Sequence, residues 1–255
     1  MATRSENLQT TPVVGRQRLR TLAIVPAYNE EGSLGQVLEE IHAADPDIEV
    51  IVVDDGSTDR TSAVAAAAGA RVATLPYNIG IGGAVQTGYQ YALEHGFEVA
   101  IQVDGDGQHD PSEMERVLEP ILEGRADLVV GTRFVAGGGY RGTRVRRVGI
   151  RIFAAVVSLM VGQRVSDTTS GFRAVNGRAL RLFAAEYPHD YPEVESIVLL
   201  SRHGLRMLEV PVQMRVRESG ASSITALRAA YYMIKVLLAL FIGLFRRYPK
   251  TQEEL

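Results

Sequence analysis

From Thr21 onward the chain alternates between two spacings of apolar residues. Short continuous runs rich in Val and Ile predict strands over Leu22–Pro26, Glu49–Asp54, Arg71–Leu75, Glu98–Asp104 and Asp127–Gly131. Between them the apolar positions recur three and four apart, which predicts helices over Ser33–Ala44, Thr58–Ala68, Gly82–His95 and Pro111–Glu123. Asp110 before Pro111 is the usual chemistry of a helix start. Strand and helix in strict alternation predict an α/β fold, a mostly parallel sheet with helices on both faces. Ligands of such sheets bind at the carboxyl ends of the strands.

The polar clusters fall at those ends. The first strand runs into Pro26-Ala27-Tyr28-Asn29-Glu30, the second into Asp54-Asp55-Gly56-Ser57, and the fourth into Asp104-Gly105-Asp106-Gly107-Gln108-His109-Asp110. The fifth runs into Gly131-Thr132-Arg133. Any one Asp-Gly pair marks only a turn. The repetition at successive strand ends is what predicts a site.

Beyond Phe134 the pattern changes. Gly137–Gly139 reads as a flexible stretch, and no acidic residue occurs between Asp127 and Asp167. That interval carries Arg133, Arg141, Arg144, Arg146, Arg147, Arg151 and Arg164. Val148–Val161 is apolar nearly all round, as is Tyr231–Phe245 apart from Lys235, and Arg246-Arg247 follows the latter. A buried helix with a basic flank explains the first segment; a helix lying on an anionic membrane surface explains both. The second segment as a helix reaches roughly 22 Å, short of the ~30 Å hydrocarbon core, so it is not expected to span.

Composition narrows the chemistry. The 255 residues carry no cysteine, which removes thiolate metal sites and cysteine nucleophiles. A net charge of −3 argues against nucleic acid as a partner. Residues 1–20 are polar, with no apolar core of a signal peptide, and read as a flexible tail. Residues 21–223 are expected to form the folded domain, and 224–255 an apolar helix with a basic tail.

Asp104 and Asp106 close a buried strand, where two carboxylates repel one another and lose hydration unless a cation joins them. An all-oxygen set suits Mg²⁺ or Mn²⁺, and Gln108 is placed to add a carbonyl oxygen. A calcium loop fits poorly, because His109 stands where such a loop needs glycine. His109 itself reads as solvated or as a support behind the carboxylates. Asp55 is suited to accept hydrogen bonds from a base edge or ribose, while Ser57 is the expected cap of the second helix. The Asn78–Gly83 run fails the dinucleotide fingerprint, since Val85 replaces its third glycine. There is no G-x-S-x-G and no metal-ligand spacing among the histidines.

Taken in order, PAYNE, VVDDGSTD, the Asn78–Gly83 run, QVDGDGQHDP, GTRF and TSGFRAV resemble the inverting glycosyltransferases of family 2, which have the GT-A fold. The likeness is nearest to the dolichyl- or polyprenyl-phosphate mannose and glucose synthases and covers about Leu22 to Ile224. It implies nucleotide-sugar contacts from Pro26, Ala27, Tyr28, Glu30, Val53, Asp55, Asn78, Gly80, Asp104, Gly105, Asp106, Arg217 and Ser222. It implies metal ligands at Asp104, Asp106 and Gln108, catalytic roles for Asp104, Asp106 and Arg133, and acceptor-phosphate contacts from Arg133, Arg146, Arg147 and Arg173. Two departures lean towards a UDP-sugar rather than GDP-mannose. Ser223 stands where mannose synthases usually carry Lys, and the chain reads D-G-D where they usually read D-A-D.

The resemblance thus implies transfer of a sugar from a nucleotide sugar to a polyprenyl or dolichyl phosphate, with inversion and with a divalent metal. The expected place is the cytoplasmic face of the membrane, peripherally bound or docked on an integral membrane protein. Two alternatives stand beside it: a hydroxyl acceptor with Asp167 as base, and a non-catalytic membrane adaptor that keeps the fold.

Overall fold

Both faces of the sheet are covered, and that is why its strands read as unbroken apolar runs. In the computed structural model, which describes residues 19–133 and 144–215 together with Lys235 (backbone alone for 144–151), seven strands form one sheet. They are β1 (Thr21–Ala27), β2 (Glu49–Asp54), β3 (Arg71–Thr74), β4 (Val99–Gln102), β5 (Leu128–Thr132), β6 (Arg173–Asn176) and β7 (Met207–Pro211), in the order β3-β2-β1-β4-β6-β5-β7. All pairings are parallel except those of β6, which runs antiparallel between β4 and β5.

Strand alternation divides the core into two layers. Leu22, Ile24, Ile51, Val53, Leu128 and Val130 point to one face, with α3 (Ile81–Glu94), α5 (Arg144–Val161), α6 (Gly177–Ala185) and α7 (Pro192–Arg202) above it. Ala23, Val25, Val50, Val52 and Val129 point to the other, under α1 (Leu34–Ala44), α2 (Thr61–Ala67) and α4 (Met114–Leu122).

The five expected strands form with small changes at their ends, and β2 has the expected bounds. β4 stops at Gln102 because the chain turns to serve the loop: the Asp104 amide donates to His109 Nδ1 at 3.0 Å. α2 begins at Thr61 rather than Thr58. Residues 57 and 58 are held by the ends of β1 and β2 instead, with Ser57 N on Asp54 Oδ1 at 2.8 Å and Thr58 N on Asn29 Oδ1 at 2.9 Å. Ser57 therefore does not cap the helix; its hydroxyl accepts from the Asn29 amide at 2.9 Å. Asp110 caps as expected, accepting from Ser112 N at 3.1 Å, and a 3₁₀ turn over Pro111–Glu113 leads into α4.

Three features differ from the expected layout. Leu19 packs against the core and the Arg20 guanidinium donates to Glu49 and to His95 O, so the two residues ahead of Thr21 join the described fold. α5 starts at Arg144, and it is not buried all round. Phe153 and Val157 enter the core, whereas Ile152 is 58% and Leu159 86% exposed. β6, α6, α7 and β7 had no counterpart in the expected elements. The expected flexible Gly137–Gly139 stretch, the tail up to residue 18 and, Lys235 apart, the expected C-terminal helix lie outside the described residues. Among the described residues no helix is long and apolar enough to cross a membrane.

Candidate active site

At the carboxyl ends of β1, β2 and β4 lies a cleft of about 330 Å³. Pro26, Ala27, Tyr28, Glu30, Asp55, Asn78, Gly80, Asp104, Gly105 and Asp106, all expected to meet a nucleotide sugar, line it together. β1 and β2 are in register, so that Pro26 lies beside Val53 and Ala27 beside Asp54, which brings the two strand ends level. Tyr28 stands 46% exposed at the cleft, an open aromatic face on which a planar base can stack.

The loop opposite is fixed by Asp55. Its carboxylate accepts from the Ile79 amide at 2.7 Å and the Gly80 amide at 2.9 Å, and Gly80 adopts φ 90° at the start of α3. Gly56 makes room for the same loop. It sits at φ +72°, and a Cβ there would come within 2.7 Å of the Tyr77 carbonyl carbon.

Asp104 and Asp106 face the cleft at the end of β4. Each is oriented by a neighbour two residues away. Gln102 Nε2 donates to Asp104 Oδ1 at 2.8 Å, and Gln108 Nε2 donates to Asp106 Oδ2 at 2.6 Å. Gln108, expected as a third metal ligand, thus presents its nitrogen to the carboxylate and supports Asp106. His109 is buried rather than solvated. Its ring stacks on Phe172 at 4.9 Å, and because Nδ1 accepts from the Asp104 amide, Nε2 carries the proton and points to Asp104 Oδ2 at 3.6 Å. Gly171 completes the surround, since a Cβ there would meet Asp104 Oδ2 at 3.0 Å.

The donor set suits a hard divalent ion: two carboxylates on one short loop, both on the cleft, with a glycine leaving Asp104 room. Among the described residues no group of three or more His, Cys, Asp or Glu is placed to hold a metal.

Arg133, expected to contact the acceptor, forms an ion pair with Asp167. Arg133 Nε lies 2.8 Å from Asp167 Oδ2 and Nη2 lies 2.9 Å from Oδ1, and Nη2 also donates to Thr169 Oγ1 at 2.7 Å. Burial pushes the Asp167 carboxyl up, but hydrogen bonds and charge from Arg133 outweigh it and hold the group below its ordinary value.

Two expected contacts are corrected. Val53 is wholly buried in the core beneath the cleft, because at its position on β2 the side chain points into the sheet face under α3. Arg173 is only 1% exposed and donates to Ser170 O, Ser196 Oγ and Glu193 O, so it braces α7 rather than reaching an acceptor phosphate. Arg146 and Arg147 lie in the first turns of α5, described by backbone alone, and Arg217 and Ser222 lie outside the described residues.

Sequence reasoning passed over Gln102 and Glu193. Gln102 was visible as a polar residue inside a buried strand, where a partner is obligatory. Glu193 gave no local signal. Burial pushes its carboxyl above the ordinary value while Arg173 opposes the shift and Asp104 adds to it, which places all three in one electrostatic neighbourhood.

The sequence profile described as Glycosyl transferase family 2 matches residues 22–183, most of the chain and every strand end that forms the cleft. The chain belongs to this family. It is 32% identical over 243 residues to a polyprenol monophosphomannose synthase of Mycolicibacterium smegmatis, covering 91% of each chain. It is 35% identical over 216 residues to an undecaprenyl-phosphate mannosyltransferase of Micrococcus luteus, covering 81% of this chain and 88% of the relative. The fold is that of glucosyl-3-phosphoglycerate synthase from Mycobacterium tuberculosis, solved with Mn²⁺, UDP and glucosyl-3-phosphoglycerate. That match has a TM-score of 0.68 at 24% identity and covers 88% of this chain and 79% of the other. The family 2 member is thus a glycosyltransferase with a GT-A fold, and the reading as a non-catalytic adaptor falls away.

Proposed function

We propose that this glycosyltransferase moves a hexose from a nucleotide diphosphate sugar to a polyprenyl or dolichyl phosphate, inverting the anomeric carbon. The observation that carries the reading is the convergence of Tyr28, Asp55, Asp104 and Asp106 on one cleft, with Arg133, which follows β5, bonded to Thr169 of the loop whose Gly171 approaches Asp104. The polyprenyl-phosphate acceptors in the names of both relatives support it. For the donor, D-G-D and Ser223 favour a UDP-hexose, while the relatives' names favour a mannosyl donor.

The barrier lies in the departing diphosphate. Asp104 and Asp106 would hold a Mg²⁺ or Mn²⁺ ion, which would supply positive charge opposite the leaving group. Gln102 and Gln108 keep the two carboxylates aimed before substrate arrives and His109 holds the Asp104 amide, so little reorganisation is needed at the reacting centre. Pro26, Tyr28 and Asp55 receive the nucleoside part. A phosphate acceptor is already anionic at neutral pH and needs orientation rather than a strong base. Arg133 supplies that orientation, with Arg146 and Arg147 as further acceptor contacts. A hydroxyl acceptor would need a base, and Asp167 is ill suited to be one: its carboxylate is buried, and its affinity for a proton is lowered by Arg133.

The protein works from the cytoplasmic face of the membrane, where its acceptor's phosphate lies at headgroup level. The exposed Ile152 and Leu159, seven residues apart and so on one side of α5, give it an apolar stripe for that surface. The test is to incubate the protein and membranes with labelled UDP-glucose, UDP-galactose and GDP-mannose, and to measure label in mild-acid-labile lipid. Label from one donor establishes both substrates. Transfer to water-soluble acceptors alone defeats the reading.

A further inference from the structure

Glu209, on the edge strand β7, takes no part in the cleft, yet its carboxylate gathers the segment that carries Asp167. Oε1 accepts from the Ser166 amide at 2.8 Å and the Asp167 amide at 2.9 Å, while Oε2 accepts from the Ser166 hydroxyl at 2.8 Å. Because the Ser166 proton is committed to Glu209, the 3.1 Å contact between Ser166 Oγ and Thr132 Oγ1 has Thr132 as donor. Thr132 is the last residue of β5 and Arg133 follows it. Glu209 therefore reaches Arg133 by two routes, through Asp167 to the guanidinium and through Thr132 to the backbone.

The division of labour between the two carboxylates follows from their partners. Asp167 meets a cation on the Nε–Nη2 edge and Thr169 takes a further hydrogen bond from Nη2, and together they fix the guanidinium plane. Glu209 meets backbone amides and one hydroxyl, so it fixes where Asp167 starts from. An acceptor-only group is required there: an amide in its place would set an N–H against the N–H groups of Ser166 and Asp167. A guanidinium that must receive a phosphate in line with a sugar carbon tolerates little displacement.

We propose that Glu209 is a positioning residue for the acceptor side of the site, setting Asp167 and through it the guanidinium of Arg133. The inference rests on the reading of Arg133 as the acceptor-phosphate arginine.

The test uses the full chain with undecaprenyl phosphate in vesicles and whichever of UDP-glucose, UDP-galactose and GDP-mannose labels the lipid. Glu209→Gln is expected to raise the KM for the lipid phosphate about tenfold and to leave the nucleotide-sugar KM within about twofold. Leu208→Ala, on the same strand, is expected to lower Tm without that selective change. Asp167→Asn combined with Glu209→Gln is expected to cost no more than the larger single change, since both act on one guanidinium. Ser166→Ala, which removes only the hydroxyl link, is expected to raise the acceptor KM about threefold and serves where Glu209→Gln fails to fold. An unchanged acceptor KM in Glu209→Gln and Ser166→Ala, or a loss shared equally by both substrates, overturns the inference alone. A wild type that uses no polyprenyl phosphate overturns the acceptor reading and this inference with it.

Discussion

Asp55 holds the amide of Gly80 at 2.9 Å, and this one hydrogen bond ties the end of β2 to the start of α3 across the floor of the cleft. The residue is nearly buried, and its other oxygen holds Ile79 N. A carboxylate suited by type to a base or ribose is thus also the clamp that shapes the opposite wall.

Asp55→Asn keeps the volume but puts an N–H against one of the two amides. The expected result is a rise of about tenfold in the nucleotide-sugar KM, with the acceptor KM unchanged. Steady-state kinetics with each substrate varied in turn is the check. An effect on the acceptor alone would contradict the placement of this loop on the donor side.

Asp106→Asn removes charge without changing shape on a loop that faces the cleft. We expect activity to fall at least ~10²-fold while the thermal transition moves little, as when a main electrostatic stabiliser is deleted. Direct binding of Mn²⁺, followed by electron paramagnetic resonance, should weaken in parallel. Turnover that persists in this variant and in the presence of EDTA would remove Asp104 and Asp106 from the metal.

Asp167 makes a prediction about pH. Its folded carboxyl is held below the ordinary value of 3.8, so its contribution is fully present above that value and is lost as pH falls through the folded one. Asp167→Asn should cost about 2–3 kcal/mol at neutral pH, at the modest end for a broken buried pair because Arg133 remains partly solvated. Below about pH 4 the gap between wild type and variant should narrow. Asp110 and Asp127 are shifted in the same direction and act in both proteins, so urea unfolding of the pair at several pH values isolates Asp167. A gap that widens in acid would show that the carboxylate is not held ionised by Arg133.

The exposed stripe on α5 predicts how the protein meets a membrane. Ile152→Gln with Leu159→Gln alters two side chains that stand out from the core, so Tm should stay within about 2 °C. Flotation with anionic liposomes should fall severalfold. Neutralising Arg246, Arg247 and Lys250 should lower it further, since each basic residue near the headgroups adds about 1 kcal/mol. Undiminished flotation in the apolar variant would move the contact away from this helix.

The parallel strands β1 to β5 and the polar residues that line the cleft were legible in the sequence. Strands buried on both faces must be apolar throughout, so β1, β2, β4 and β5 announce themselves locally, and the polar residues that end them are pinned by that pattern. Pro26, Tyr28, Asp55, Asp104 and Asp106 were legible for this reason. The rest depended on contacts between residues remote along the chain. β6 runs antiparallel between β4 and β5, a pairing between residues 43 to 77 positions apart that no local period encodes. That strand turns Arg173 inward onto α7, where sequence reasoning had it facing a ligand. Val53 shows the same limit on a smaller scale: inside β2 it shares the core face with Ile51, whereas Asp55 lies past the strand end, where the alternation stops, and reaches the cleft. Whether an arginine in an acid-free stretch meets a substrate or a carboxylate 34 residues away is likewise a matter of position: Arg133 found Asp167 because β5 ends level with the loop before β6.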